Sequence, residues 1–215
     1  PERLIVNPLG GDYIDHDSKA QFYEKLGTAG FRVPRSLTTN DPDAARAFLM
    51  EVGETVVKPT IGIGSTRILT ENDHDRLDGL RTCPTLMQER IEGRTLRLHV
   101  VGDTLVLALR IESDMVDSRT EAKHFTPVTI APEEAERLVA ANRFLGLHYA
   151  AWDGIVDSQG RLVYLDCNPG PNLMWLCEDH RKAVFSCLAT YLVTFSRSGS
   201  IETACNSVNP VSYRT

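Results

Sequence analysis

The chain has 215 residues, with 23 Lys+Arg against 29 Asp+Glu and a formal net charge of −6. That length suits one large domain or two small lobes, and 42% apolar with 24% charged residues is the balance of a folded chain, not a disordered one. The acidic balance argues against nucleic acid or an anionic membrane as partner, and no apolar run approaches the roughly 18 residues that span a bilayer.

Five cysteines without a C-x-x-C pair fit neither a disulfide framework nor a zinc knuckle, and they fit a reducing, cytoplasmic setting. Along the chain, Ala20, Phe22, Tyr23 and Leu26 recur at helical spacing over 18–29, with Gly30 placed to close that helix. A short strand over 35–39 precedes a second helix that Asp41 caps, Pro42 starts and Gly53 ends. Residues 55–58 read as a strand stopping at Pro59, followed by a glycine loop over 60–65 and a returning strand over 66–70. A polar helix over 72–81 leads to a strand over 85–91. Strands over 96–101 and 104–112 meet at Gly102-Asp103, a two-residue hairpin signal. An amphipathic helix over 132–145 precedes a second hairpin, 149–156 with 162–167, and a helix over 179–195 closes the fold. The tail from 198 to 215 is Ser/Asn-rich and expected to be loosely held. Two hairpins among helices give an α+β class, with a first lobe over 1–90 and a second over 91–197. The chain contains neither a Walker pattern nor G-x-G-x-x-G.

Three clusters carry candidate chemistry. Alternation along strands puts Asp153 with Ala151 on one face of the second hairpin, and Asp166 with Asn168 on one face of its partner strand. If those faces coincide, two carboxylates and an amide offer hard oxygens suited to Mg²⁺; the alternative is that both acids cap turns at strand ends. Lys58 before Gly62, Gly64 and Ser65 can set a point charge and backbone N–H groups against phosphate, or be an ordinary hairpin with a snorkelling lysine. Lys19, Lys58, Arg67, Arg97, Arg110 and Arg119 form a set of cations. Counting outward from the Gly102 turn places Arg97 and Arg110 on the same face, as a phosphate clamp or a solvated face paired with Glu112 or Glu92. The six histidines lack ligand spacing and read as surface or structural groups. Cys167, Cys177, Trp152 and Trp175 read as packing residues, and no serine stands in a nucleophile elbow.

Taken in order, these segments resemble the ATP-grasp superfamily over roughly residues 1 to 195, nearest the graspetide (microviridin-type) peptide-cyclising ligases and then the ribosomal-protein glutamate ligase type. The stretches that carry the likeness are Val6-Asn7-Pro8 leading to Lys19, residues 33–40, Gln88-Glu89-Arg90-Ile91, Leu96-Arg97-Leu98, Val100 to Asp103, Asp117-Ser118-Arg119 and Asp166-Cys167-Asn168-Pro169. The resemblance implies two α+β lobes enclosing a nucleotide cleft, with ATP and Mg²⁺ as cofactors. It implies Lys19 and Lys58 on the phosphates under a loop at Gly62 to Ser65, Gln88 with the backbone of Glu89 and Ile91 on adenine, and Asp153, Asp166 and Asn168 on the metal. Arg97, Arg110 and Arg119 would steady the transferred phosphate. A carboxylate becomes an acyl phosphate, and an amine or hydroxyl attacks it to give an amide or ester.

The expected substrate is a precursor peptide made by the ribosome. The alternatives are a small carboxylate joined to a free amino acid or amine, or an ATP-binding module or fragment without catalysis. A homodimer is compatible with this reading, and nucleic acid and membrane are not expected partners. Thr95 stands where family members often carry an acid for the ribose, and Asp166 replaces a commoner Glu. The family's usual N-terminal domain is expected to be absent.

Overall fold

The structure, a computed structural model, describes residues 3–8, 18–60, 66–112 and 124–211. Helix α1 (Lys19–Thr28) forms where Phe22, Tyr23 and Leu26 make one buried stripe. Gly30 follows at φ 84°, a left-handed position that glycine occupies without strain. Strand β1 (Ser36–Thr39) leads to α2 (Pro42–Val52), where the Asp41 carboxylate accepts the Asp43 N–H and Pro42 occupies the first turn. Strands β2 (Thr55–Pro59), β3 (Arg67–Ile68) and β4 (Thr85–Glu89) complete a sheet of order β1-β4-β2-β3, antiparallel throughout.

Residues Glu71–Thr82 form a 3-10 helix entered through a reciprocal Thr70–Asp73 capping box, not the α-helix that the polar pattern suggests. Its sequence of Asn, Asp, His and Gly has weak helix propensity, and Leu77 is the one core residue it buries among those described. The returning strand is likewise cut to Arg67–Ile68.

The second sheet has order β7-β6-β5-β8-β9, from β5 (Arg94–Val101), β6 (Thr104–Glu112), β7 (His124–Pro127), β8 (Tyr149–Val156) and β9 (Leu162–Asn168). All its pairings are antiparallel. The β5–β6 turn is the expected two-residue one, with Gly102 at φ 56°; a Cβ there would lie 3.0 Å from Cys205 Sγ and from the Tyr191 ring. Strand β7 escapes the sequence reading because it is a four-residue edge with Pro127 at its end, where a missing N–H costs no ladder bond.

One face of this sheet buries Leu96, Leu98, Val100, Ala150, Trp152 and Tyr164 against α1 and α3 (Pro132–Phe144). The opposite face packs Val101, Leu107, Leu109 and Tyr149 against α4 (Glu178–Ser198). The tail expected to be loosely held is packed through its first half: α5 (Ile201–Asn206) buries Ala204 and Cys205, and Val208 joins the same core. Small apolar residues between Ser and Asn carry that packing. Cys167 and Trp152 are core residues as read, but Cys177 is exposed and Trp175 is 58% exposed, because both lie in the segment around the start of α4.

Candidate active site

The site begins with an irregularity in β9. Gly154 faces Tyr164 and Asp153 faces Asp166, so Leu165 is an extra residue without a partner across the ladder. Unbroken pairing from Val156–Leu162 would set Asp166 opposite the core residue Trp152. The bulge instead turns Asp166 and Asn168 onto the face of Asp153, while Cys167 goes to the core opposite Trp152. Arg97 on β5 faces Asp153 in turn, so Arg97, Asp153 and Asp166 form one row across three strands. Asn168 stands one row along, opposite Ala151.

Each carboxylate in the row is paired. Arg97 Nη1 donates to Asp153 Oδ2 at 2.7 Å, and Lys19 Nζ lies 2.8 Å from Asp166 Oδ1, which also accepts the Cys167 N–H. Burial alone would lower the Arg97 pKa, but Asp153 at its side outweighs it and the guanidinium is held further toward the charged form. Lys19 opens α1, and one turn later Tyr23 donates its hydroxyl to the carbonyl of the bulge residue Leu165 at 2.6 Å. Burial first, and then the nearby Asp166, raise the Tyr23 pKa, so the phenol stays protonated and acts as a donor. Asn7 ties down the other end of β9: its amide N–H groups donate to the carbonyls of Tyr149 and Pro169, and its oxygen accepts the N–H groups of His148 and Tyr149.

The first sheet adds neutral groups. Gln88 is 1% exposed; its Oε1 accepts from Lys58 Nζ at 2.8 Å and its Nε2 donates to Ser36 Oγ at 3.0 Å. Ser36, Gln88 and Val56 lie in one row of that sheet, and Lys58 is two residues beyond Val56 on the same face. Gln88 also sits beside the Tyr23 hydroxyl, so Tyr23 stands between the Lys58–Gln88 pair and Asp166. The Glu89 N–H donates to the Arg35 carbonyl and the Ile91 backbone follows in the connection to β5, which places this stretch between the two sheets.

Several candidates fall elsewhere. Arg110 is not beside Arg97: a second bulge leaves Val106 without a partner on β5, which sets Arg110 opposite Leu96 and Arg97 opposite Leu109. Equal counting from the turn fails there by one residue, and Arg110 pairs with Glu112 on the other face. Arg67 pairs with Asp73, whose carboxyl is held down to about 2 by the Thr70 N–H and by Arg67. Gly62, Gly64, Ser65 and Arg119 lie outside the described residues. Among the six histidines, His99 is a core group: it is 1% exposed, its Nδ1 lies 3.5 Å from the Tyr149 hydroxyl, and burial pushes its pKa down to about 3.

Sequence reasoning missed Tyr23 and Asn7 as site groups. Tyr23 reads as one of a helical core stripe, and Asn7 enters only within the Val6-Asn7-Pro8 stretch of the family likeness, with no role given to its side chain.

Among the described residues no three His, Cys, Asp or Glu side chains come together as a metal cage, and no helix is long and apolar enough to cross a membrane. The donor set is two carboxylates and one amide on one sheet face, already attracting two cationic side chains. That chemistry fits a hard divalent cation that shares its remaining positions with water and phosphate. An open apolar cleft of about 590 Å³ lies elsewhere, between β6, α3 and residues 210–211, and holds none of these groups.

The chain matches the ATP-grasp domain family over residues 16–144. The chain belongs to that family. It is 29% identical over 170 residues to a probable alpha-L-glutamate ligase of Pseudoalteromonas translucida, a match covering 72% of this chain and 56% of the relative. A probable alpha-L-glutamate ligase of Xanthomonas campestris pv. campestris is 31% identical, with 72% and 58% covered. Among solved structures, the ATP-grasp ligase PsnB complexed with a minimal precursor superposes with TM-score 0.71 at 30% identity, covering 84% of this chain and 62% of PsnB. The macrocyclase MdnC of Microcystis aeruginosa, bound with its precursor peptide MdnA, gives TM-score 0.69 at 25% identity, with 86% and 64% covered. The chain thus spans somewhat more than half the length of the relatives it matches.

Proposed function

We propose that this chain carries the ATP-binding and ligase centre of an enzyme that cross-links side chains of a precursor peptide. The observation that carries the reading is the opposition of Lys58 and Gln88 on one sheet to the Arg97–Asp153–Asp166 row on the other, with Tyr23 between them. A nucleotide between the sheets would meet Gln88 and the 89–91 backbone at its base and Lys58 at its phosphates. Asp153, Asp166 and Asn168 would hold Mg²⁺, which neutralises charge between the phosphates when bound.

Arg97 has one N–H engaged with Asp153, and its guanidinium carries four more to orient a phosphoryl group. A substrate carboxylate oxygen attacks the γ-phosphorus and ADP leaves. An amine or hydroxyl then attacks the acyl carbon, releasing phosphate and leaving an amide or ester. No protein nucleophile is required, because positioning and charge supply the catalysis. The peptide substrate rests on the likeness to PsnB and MdnC, both solved with precursors.

Incubation with ATP, Mg²⁺ and a candidate precursor should release ADP and remove one water's mass from the peptide per cross-link. The curated relatives favour a second reading, addition of a free amino acid, which would instead raise the acceptor's mass by that residue. Absence of ADP with every peptide and acid tried would contradict both. Lys58→Ala should weaken ATP binding about tenfold by removing a phosphate-facing charge, and unchanged affinity would remove Lys58 from the site.

A further inference from the structure

The row of carboxylates depends on one unpaired residue. Register alone would send Asp166 toward Trp152; the bulge at Leu165 turns it through the sheet to face Asp153. A bulge leaves its extra residue outside the ladder, so the Leu165 carbonyl needs a partner from elsewhere. Tyr23 supplies it at 2.6 Å, from a side chain 4% exposed on a helix that also sends Lys19 to Asp166. Just before the bulge, the Tyr164 N–H donates to the Arg32 carbonyl, so β9 is gripped from outside the sheet on consecutive residues. The Tyr23 ring is fixed in turn, edge-on to Phe22 with centroids 5.3 Å apart.

We propose that Tyr23 is a positioning residue for the metal site: its hydroxyl holds the Leu165 bulge and so fixes the aim of Asp166. The inference rests on the metal reading of Asp153, Asp166 and Asn168. Partners that orient metal ligands from behind typically alter metal affinity about 10- to 100-fold when removed.

Mn²⁺, read by its electron paramagnetic resonance signal in the presence of ADP, tests this without turnover. The full chain should bind Mn²⁺, and Asp166→Ala should abolish that binding. Tyr23→Phe, which removes only the hydroxyl, should weaken Mn²⁺ at least tenfold while the circular dichroism spectrum is unchanged. Tyr164→Phe removes the hydroxyl of another buried ring in the same core and should leave Mn²⁺ affinity within twofold. Equal affinity in Tyr23→Phe and the parent, or equal losses in Tyr23→Phe and Tyr164→Phe, would overturn the positioning role and leave the metal reading standing. A parent chain that binds no Mn²⁺, or binds it as well with Asp166→Ala, would overturn the metal reading and this inference with it.

Discussion

The first sheet is backed by a core cluster of Ala45, Leu77 and Met87 and sends Leu86 from its other face into a cluster of eighteen buried residues; the second sheet lies between that cluster, to which it gives far more side chains, and another of twelve, counted among those described. The chemistry differs in the same sense. Lys58 and Gln88 on the thin sheet are joined by a hydrogen bond between a cation and a neutral amide, while the thick sheet sets charge against charge in the Arg97–Asp153 pair. A sheet with little buried behind it opens at low free-energy cost, and one packed on both faces holds its side chains in place. The difference suits the proposed cleft, in which one wall would yield to a nucleotide and the other would fix the cation and the reacting oxygens.

Truncating the two cores should expose the asymmetry most strongly. Trp152→Ala removes a fully buried ring from the thick core and strands the Asn142 oxygen that accepts its indole N–H, so a loss of about 3–5 kcal/mol is expected in urea unfolding. Met87→Ala in the thin core should cost less, about 2–3 kcal/mol, because the surrounding side chains can close on the gap. Equal losses would break the comparison. Asn7→Ala comes next: it strips partners from four backbone groups around the start of β8 and the end of β9, and should cost about 2 kcal/mol.

The last effect is a slope, small over any few tenths of a pH unit. The unfolded chain protonates His99 near pH 6.5 and the folded chain only near pH 3, so the unfolded state binds more protons between those values and stability falls as pH drops through that window. One such proton is worth about 1.4 kcal/mol per pH unit. His148 and His180 are lowered by burial as well and add with the same sign. His99→Phe should flatten the stability curve between pH 6 and 4 by up to one proton; an unchanged slope would mean that His99 is solvated or charged in the fold.

Two bulges explain how much of the site was legible in the sequence. The strand hairpins, the capped helix at Asp41–Gly53 and the two-residue Gly102-Asp103 turn follow from periodicity and turn chemistry and appear as expected. Alternation along β9 also put Asp166 and Asn168 together correctly. Whether they meet Asp153 depends on an extra residue at Leu165, which brought the faces into coincidence. The same kind of event at Val106 separated Arg110 from Arg97. A bulge is chosen by what lies behind the strand, here Tyr23 from α1 and, at Val106, the Val211 N–H that its carbonyl accepts; neither partner is near in sequence. Short elements failed for a related reason, since β7 and α5 exist through tertiary packing and not through a local pattern of their own.

In the proposed cleft the two sheets share one nucleotide–metal site. Calorimetric titration with ADP and Mg²⁺, on the chain and on its Lys58→Ala and Asp166→Ala forms, tests it most directly. Binding should be micromolar and require Mg²⁺, about tenfold weaker with Lys58→Ala and no longer enhanced by Mg²⁺ with Asp166→Ala. Binding of equal strength with and without Mg²⁺, unaffected by either substitution, would contradict it.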